Sequence, residues 1–254
     1  MFDTHMHTKF STDSKMIIND AVNFANKLKL GVTITEHMDL KFPIKDKFVF
    51  DVGEYFNKYD KYRKQGVLLG VELGMRMDCI EENRELQKEN DFDYVIGSLH
   101  LVRNIDVYEE ALYKGRAKKE VYEEYLKAML QCVEVYDFVD SIGHIDYISR
   151  YARYDDTELY YEDYKYLIDE ILEKIIENEK VIELNTRRLG NEKSQKELKK
   201  IYKRYYELGG RYITLGSDAH TEVNIGRNFD IALGMARDCN LKIVHFEKRK
   251  LIVD

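Results

Sequence analysis

Six of the seven histidines in this chain lie at or just after the end of a short apolar segment. They are His5, His7, His37, His100, His144 and His220. Three acidic residues have similar positions: Asp13 follows the first segment, Glu72 ends the third in GVEL, and Asp218 ends the seventh in LGSDAH. Imidazole and carboxylate together are typical ligands of zinc, manganese or iron, whereas carboxylates alone favour magnesium or calcium. The sequence therefore predicts a divalent-metal centre built from these nine residues.

The spacing and number of the candidate ligands indicate more than one ion. His5 and His7 are two residues apart, as are Asp218 and His220, so each pair projects to one side of an extended chain. One ion takes about four protein ligands, or three with an open position, so the set suits two or three ions. By formal charge, three dications among three carboxylates leave a positive site that accepts hydroxide and a phosphate dianion. This charge balance would suit hydrolysis of a phosphate ester by a metal-bound hydroxide that attacks phosphorus.

The elements that must position these residues alternate along the chain. Strand candidates are 1–4, 31–35, 67–71, 94–97, 138–142, 181–184 and 212–215, with a weaker eighth at 242–246. Helical periodicity is clearest at 121–133 and 167–176, and weaker patterns span 15–29, 51–65, 193–208 and 226–239. Seven or eight strand–helix units favour a closed α/β barrel, with an open doubly wound sheet as the alternative. In a barrel the carboxyl ends of the strands carry the active site, so the candidates should converge there.

Composition narrows the class of protein. A chain of 254 residues suits one barrel domain, and no linker or low-complexity tract divides it. The net charge of −7 argues against nucleic acid as a partner, and no apolar stretch is long enough to predict a membrane span. The three cysteines have no CxxC spacing, which favours reduced thiols in a cytoplasmic protein.

Six ordered motifs resemble those of the PHP family, named for polymerase and histidinol phosphatase. They are DTHMHT, TITEH, GVELG, IGSLH, IGHIDY and LGSDAH, and they run from residue 3 to residue 220. Chain length, IELNTRRL and HTKFSTDS resemble the stand-alone histidinol-phosphate phosphatases, with Asp13 where other PHP phosphatases place a histidine. The resemblance implies a distorted (β/α)7 TIM-like barrel, a single PHP phosphoesterase domain over 1–254, and a trinuclear site.

The resemblance also implies which residues hold each ion. The first set is His5, His7, Glu72 and Asp218; the second is Glu72, His100 and His144; the third is Asp13, His37 and His220. Catalysis is expected to depend on His5, His7, Glu72, Asp218 and His220. Arginine binds phosphate through two parallel N–H groups, and loop arginines at the same face are the substrate-binding candidates. The favoured ones are Arg150 and Arg187, with Arg188 and Arg153 as weaker candidates.

The expected substrate is L-histidinol phosphate, hydrolysed to L-histidinol and phosphate in histidine biosynthesis. The alternative is another small phosphate ester, a nucleotide or a phosphotyrosine protein, cleaved by the same chemistry. A non-catalytic PHP module is disfavoured because every motif position carries a plausible ligand, and an amidohydrolase is disfavoured because Glu72 stands where a lysine is expected. Two roles stay open. Glu36 either orients a ligand or is a partly exposed acid, and the tyrosine-rich stretch 151–166 either receives a cationic substrate or packs on the barrel rim.

Overall fold

The structure is a computed structural model that describes all 254 residues and contains eleven strands and eight α-helices. The strands are β1 (Phe2–Asp3), β2 (Gly31–Met38), β3 (Val67–Gly74), β4 (Tyr94–Ser98), β5 (Leu101–Val102), β6 (Ile105–Asp106), β7 (Ser141–Ile142), β8 (Val181–Asn185), β9 (Tyr212–Gly216), β10 (Lys242–Glu247) and β11 (Lys250–Val253). The helices are α1 (Ile18–Leu28), α2 (Val52–Tyr59), α3 (Ile80–Glu89), α4 (Lys118–Val135), α5 (Ile148–Tyr151), α6 (Tyr161–Glu177), α7 (Glu192–Leu208) and α8 (Phe229–Asp238).

Nine strands form a curled sheet in the order β1-β2-β3-β4-β7-β8-β9-β10-β11, in which all neighbours are parallel except β10 and β11. The chain after β1 meets β9 and the loop that follows it: the Thr4 amide donates to the Leu215 carbonyl, and the His7 amide to the Ala219 carbonyl, each at 2.8 Å. These bonds close the curl, and the predicted distorted barrel is confirmed. Strands β5 and β6 form a separate two-stranded sheet, and none of the helices has the length and apolar character needed to cross a bilayer.

All seven predicted strands are present, and the weak eighth is β10. Strands β2 and β3 each run three residues further than predicted, so His37 and Glu72 lie inside strands rather than after them. The segment 138–142 is strand only at Ser141–Ile142, because the Val139 amide turns back to the Tyr136 carbonyl. Helix α3 is absent from the sequence prediction because Asn83 is its only buried residue, which leaves little apolar periodicity.

The two ends of the barrel differ in chemical character. At the amino end of the strands, Val244 and Phe246 of β10 pack against Tyr94, Ile96 and Val181 in an apolar cluster of their own. At the carboxyl end, buried polar side chains replace apolar ones, which costs free energy unless they find partners. The carboxyl end is therefore the candidate location of the functional site.

Candidate metal centre

The nine predicted ligands come together at the carboxyl end of the parallel strands. Each belongs to a strand end or to the loop that follows it: His5, His7 and Asp13 after β1, His37 in β2, Glu72 in β3, His100 after β4, His144 after β7, and Asp218 and His220 after β9. Seven of the nine are buried, whereas His220 is half-buried and Asp13 lies on the exposed rim. Burial of this many ionisable groups in one place is typical of a functional site.

Glu72 stands at the centre of the cluster. Its Oε1 atom lies 3.1 Å from Nε2 of His144, 3.2 Å from Nε2 of His5 and 3.3 Å from Nε2 of His100. Its Oε2 atom lies 2.8 Å from Nδ1 of His37. A carboxylate with imidazoles on both oxygens is placed to bridge two cations, which is the role expected of Glu72.

The distances support the first two ligand sets implied by the resemblance. In the second set, one ligand atom each from Glu72, His100 and His144 lies within 4.8 Å of the others. His5, His7 and Glu72 of the first set meet the same limit. The fourth member of that set, Asp218, places Oδ1 3.4 Å from Nε2 of His7 and 3.9 Å from Nε2 of His5.

The third set lies at the rim. Oδ2 of Asp13 is 3.1 Å from Nε2 of His220 and 3.6 Å from Nε2 of His37. Ligand atoms of His7, His37 and His220 also lie within 4.8 Å of one another. His7, a member of the first set, is therefore close to the third set as well. The three sets therefore form one continuous cluster rather than three separate pockets.

Several buried atoms in the cluster make no hydrogen bond. They are Oδ2 of Asp39 and Nε2 of His100, together with Nδ1 of His37 and Oε2 of Glu72, which face each other at 2.8 Å as an ion pair without hydrogen-bond geometry. A buried polar atom without a partner costs free energy, commonly about 1–3 kcal/mol. Coordination of divalent cations would give a partner to the carboxylate oxygens and to Nε2 of His100, and imidazole with carboxylate is the donor set expected for zinc, manganese or iron. The residues present therefore fit a metal centre.

The electrostatics of the cluster agree with this interpretation. Burial raises the pKa of Glu72, but the imidazoles of His5, His100 and His37 hold it well below its ordinary value. Burial lowers the pKa of His37, but Glu72 and Asp13 outweigh burial and raise it to about 10. Burial also lowers the pKa of His5 and His100, but nearby carboxylates outweigh burial and raise it well above the ordinary value, whereas burial and the neighbouring imidazoles lower the pKa of His7. Without metal, protons on His5, His37 and His100 thus compensate the carboxylates.

Some residues around the ligands were not identified as site residues from the sequence. Asp39 places Oδ1 2.8 Å from Nδ1 of His100, and one of its oxygens groups with His37 and His100 as a further potential ligand. Its position two residues after His37 repeats the spacing of the histidine pair, and this signal could have identified it. Glu183 of β8, in the IELN segment, contacts His5, and no local spacing relates the two.

Glu36 is fully buried, which excludes the exposed alternative for this residue. Its Oε2 atom accepts the Ser11 hydroxyl at 2.6 Å, and the Ser11 oxygen lies 3.1 Å from Nδ1 of His7. Because the only hydroxyl proton of Ser11 goes to Glu36, Nδ1 of His7 must donate its proton to Ser11. Nε2 of His7 is then free to bind a metal, so Glu36 orients a ligand through Ser11.

The arginine candidates have different surroundings. Arg150 lies in α5 rather than on a loop, and its side chain is 10% exposed; it pairs with Asp218 and donates to Oδ1 of Asn185 at 3.2 Å. The side chain of Arg187 is 37% exposed and donates to the Asp218 carbonyl at 3.2 Å. Arg188 is paired with Asp146 at 2.5 Å and Glu158 at 2.7 Å, so its donors are engaged within the fold. The exposed Arg153 donates to the Tyr108 carbonyl at 3.2 Å. Arg187 is therefore the most accessible candidate beside the cluster.

Comparison with known proteins agrees with this geometry. The PHP domain matches residues 3–187. A protein of Clostridium acetobutylicum named "Probable histidinol-phosphatase" is 53% identical over 249 residues, which cover 98% of each chain. "Histidinol-phosphatase" of Lactococcus lactis is 32% identical over 225 residues, 86% of this chain and 83% of that one.

A solved structure is also similar over nearly the whole chain. The crystal structure of histidinol phosphate phosphatase from Lactococcus lactis, complexed with zinc, L-histidinol and phosphate, matches with a TM-score of 0.92 and 28% identity. The match covers 99% of this chain and 98% of that one. With the domain match spanning well over half of the sequence, these relations establish that the chain belongs to the PHP family.

Proposed function

We propose that this chain is a metal-dependent phosphatase that hydrolyses L-histidinol phosphate to L-histidinol and phosphate. The observation that carries the proposal is the Glu72 carboxylate, whose oxygens contact the imidazoles of His5, His37, His100 and His144. The substrate is supported by the relatives named histidinol-phosphatase and by the similar structure that holds zinc, L-histidinol and phosphate. We propose that residues 1–254 act as one PHP phosphoesterase domain.

The reaction needs the P–O bond to the alcohol to break while water supplies hydroxyl to phosphorus and a proton to the alcohol. Two or three divalent ions, with zinc the first candidate, would supply a hydroxide nucleophile and stabilise charge on the phosphate. In the chain, the nine-residue cluster would hold the ions, Arg150 fixes the orientation of Asp218, and Arg187 would donate to the phosphate oxygens. Arg188 does not contact the substrate in this proposal, because its guanidinium group is already paired with Asp146 and Glu158.

Phosphate release tests the proposal. Protein reconstituted with zinc or manganese is assayed on L-histidinol phosphate, p-nitrophenyl phosphate and a dinucleotide. We expect kcat/KM on L-histidinol phosphate to exceed the other two by at least about a hundredfold, because only that substrate fills the whole site. Activity on the generic ester alone would keep the phosphatase and reject the substrate. No activity with metal bound would reject both.

We further propose that the enzyme works in the cytoplasm, where amino-acid biosynthesis takes place. The thiols support this location, because Cys79, Cys132 and Cys239 are all buried and none forms a disulfide.

A further inference from the structure

Glu183, in the middle of β8, is a fully buried carboxylate that is not among the nine predicted ligands. Its Oε1 atom lies 2.6 Å from Nδ1 of His5. Its Oε2 atom accepts the backbone amide of His144 at 2.8 Å and the side-chain amide of Asn185 at 3.2 Å. One carboxylate therefore contacts two segments that carry candidate ligands, one after β1 and one after β7.

The contact with His5 determines which ring nitrogen can bind a metal. A carboxylate accepts hydrogen bonds, so Nδ1 of His5 carries the proton that it donates to Glu183. Nε2 is then the nitrogen left for a metal, and it is the atom that faces Oε1 of Glu72 at 3.2 Å. A histidine ligand that donates its second N–H to a carboxylate is fixed in both tautomer and ring orientation.

The same carboxylate supports a second candidate ligand, Asp218, through Asn185. The Asn185 side-chain oxygen accepts from Arg150 at 3.2 Å, and Arg150 pairs with Asp218. The amide of Asn185 donates to Glu183, so the orientation of the Asn185 side chain is defined by both neighbours. Glu183 is thereby linked to His5 directly and to Asp218 through two intermediate side chains.

The space around Glu183 is closed to rearrangement. A Cβ atom at Gly216 would lie 2.0 Å from Oε1 of Glu183 and 2.5 Å from Cβ of His5. Only glycine lets β9 approach this closely, so the carboxylate is confined between β9 and His5. The close packing leaves Glu183 a single arrangement in which its two oxygens serve different partners.

We propose that Glu183 is a positioning residue, which fixes His5 as an Nε2 ligand and so sets the affinity of the cluster for the metal that His5 binds. The inference rests on the metal-dependent activity proposed above, but its readout is metal binding rather than turnover. Glutamine at position 183 cannot replace glutamate, because an amide has one acceptor where His5 and the His144 amide require two.

The experiment measures zinc affinity of Glu183→Gln, Glu183→Ala and the parent protein by competition with a chromophoric chelator. Glu197→Gln is the matched control, since Glu197 is also buried and accepts the Tyr161 amide at 3.2 Å but contacts no candidate ligand. The metal site to which His5 belongs should bind zinc about 10–100-fold more weakly in Glu183→Gln than in the parent protein. The loss should be larger in Glu183→Ala. The control should match the parent.

Circular dichroism and thermal unfolding of each variant separate a local effect from misfolding. A Glu183→Gln protein that is folded and binds zinc as the parent does would overturn the proposal, even if its unfolding temperature fell. Weakened zinc binding supports the proposal whether or not L-histidinol phosphate proves to be the substrate. The phosphate-release assay tests the substrate independently of zinc affinity.

Discussion

Oε1 of Glu72 lies 3.1 Å from Nε2 of His144, although 72 residues of chain separate the two. The same oxygen faces His5 and His100, and the second oxygen faces His37. With His7 at 3.5 Å from the second oxygen, Glu72 contacts five histidines, whereas no other carboxylate of the cluster contacts more than three. Glu72 is therefore the residue on which adjacent metal sites depend most.

Replacing Glu72 with glutamine should remove more than one equivalent of metal. The amide is neutral and a poor bridge between cations, so the loss of activity should exceed the roughly 100-fold typical of an outer partner. Metal content by mass spectrometry, together with phosphate release, checks this. A variant that keeps full metal content and activity would contradict the central role of Glu72.

Asp13 is the exposed member of the third set, 3.1 Å from His220 and 3.6 Å from His37. In Asp13→Ala we expect one equivalent of metal to be lost while the others stay, because the buried sets do not contain this residue. Asp13→His should retain the ion, since imidazole is an equivalent donor for these metals. Metal stoichiometry after dialysis is the measurement, and full occupancy in Asp13→Ala would exclude Asp13 as a ligand.

Arg187 and Arg188 are adjacent but should respond differently to alanine substitution. Arg187→Ala removes an accessible phosphate donor, so KM for L-histidinol phosphate should rise about 10–100-fold with unfolding unchanged. Arg188→Ala leaves Asp146 and Glu158 buried without their cation, which should lower the free energy of unfolding by about 3 kcal/mol. Denaturant unfolding and steady-state kinetics distinguish the two. An Arg188→Ala protein of normal stability with a raised KM would restore Arg188 as a substrate contact.

Metal binding should release protons. Glu72 and Asp13 overcome the effect of burial and raise the pKa of His37 to about 10, so this imidazole is protonated at about pH 7 in the metal-free protein. A metal binds only the neutral ring, so affinity should increase as pH rises from about 7 towards 10 and then level off. Calorimetry in two buffers of different ionisation enthalpy counts the protons. Binding without proton release would show that His37 is neutral before metal arrives.

Gly216 and Gly234 form a contrasting pair. In Gly216→Ala the new Cβ would lie 2.0 Å from Glu183 and 2.5 Å from Cβ of His5, so zinc affinity and stability should both fall. Gly234 lies inside α8 with nothing within 4 Å of an added Cβ, and Gly234→Ala should stabilise the protein by about 0.5–1 kcal/mol. Unfolding temperature and zinc titration of the two variants check this. A tolerated Gly216→Ala would mean that β9 can move away from His5.

Local chemistry explains why so much of the site could be predicted. The alternation of strands and helices is a short-range pattern, and so is the position of each histidine relative to the strand before it. Because parallel strands in a barrel end on one face, residues at strand ends must meet there, as His5 and His144 do. The seven strands and the convergence of the nine predicted ligands therefore followed from the order of residues alone.

The tertiary structure determined which side chains from distant strands and loops contact one another. That Glu183 rather than another acid supports His5, or that Arg188 faces Asp146 and Glu158 instead of the site, depends on the curl of the sheet and the packing of loops. Helix α3 was not predicted for a related reason. It has a single buried residue, so its sequence lacks the repeating apolar positions that indicate a helix. Sequence spacing determines which residues share a face of one element. Only folding determines which faces of distant elements meet, because that depends on the sum of many weak packing contacts across the chain.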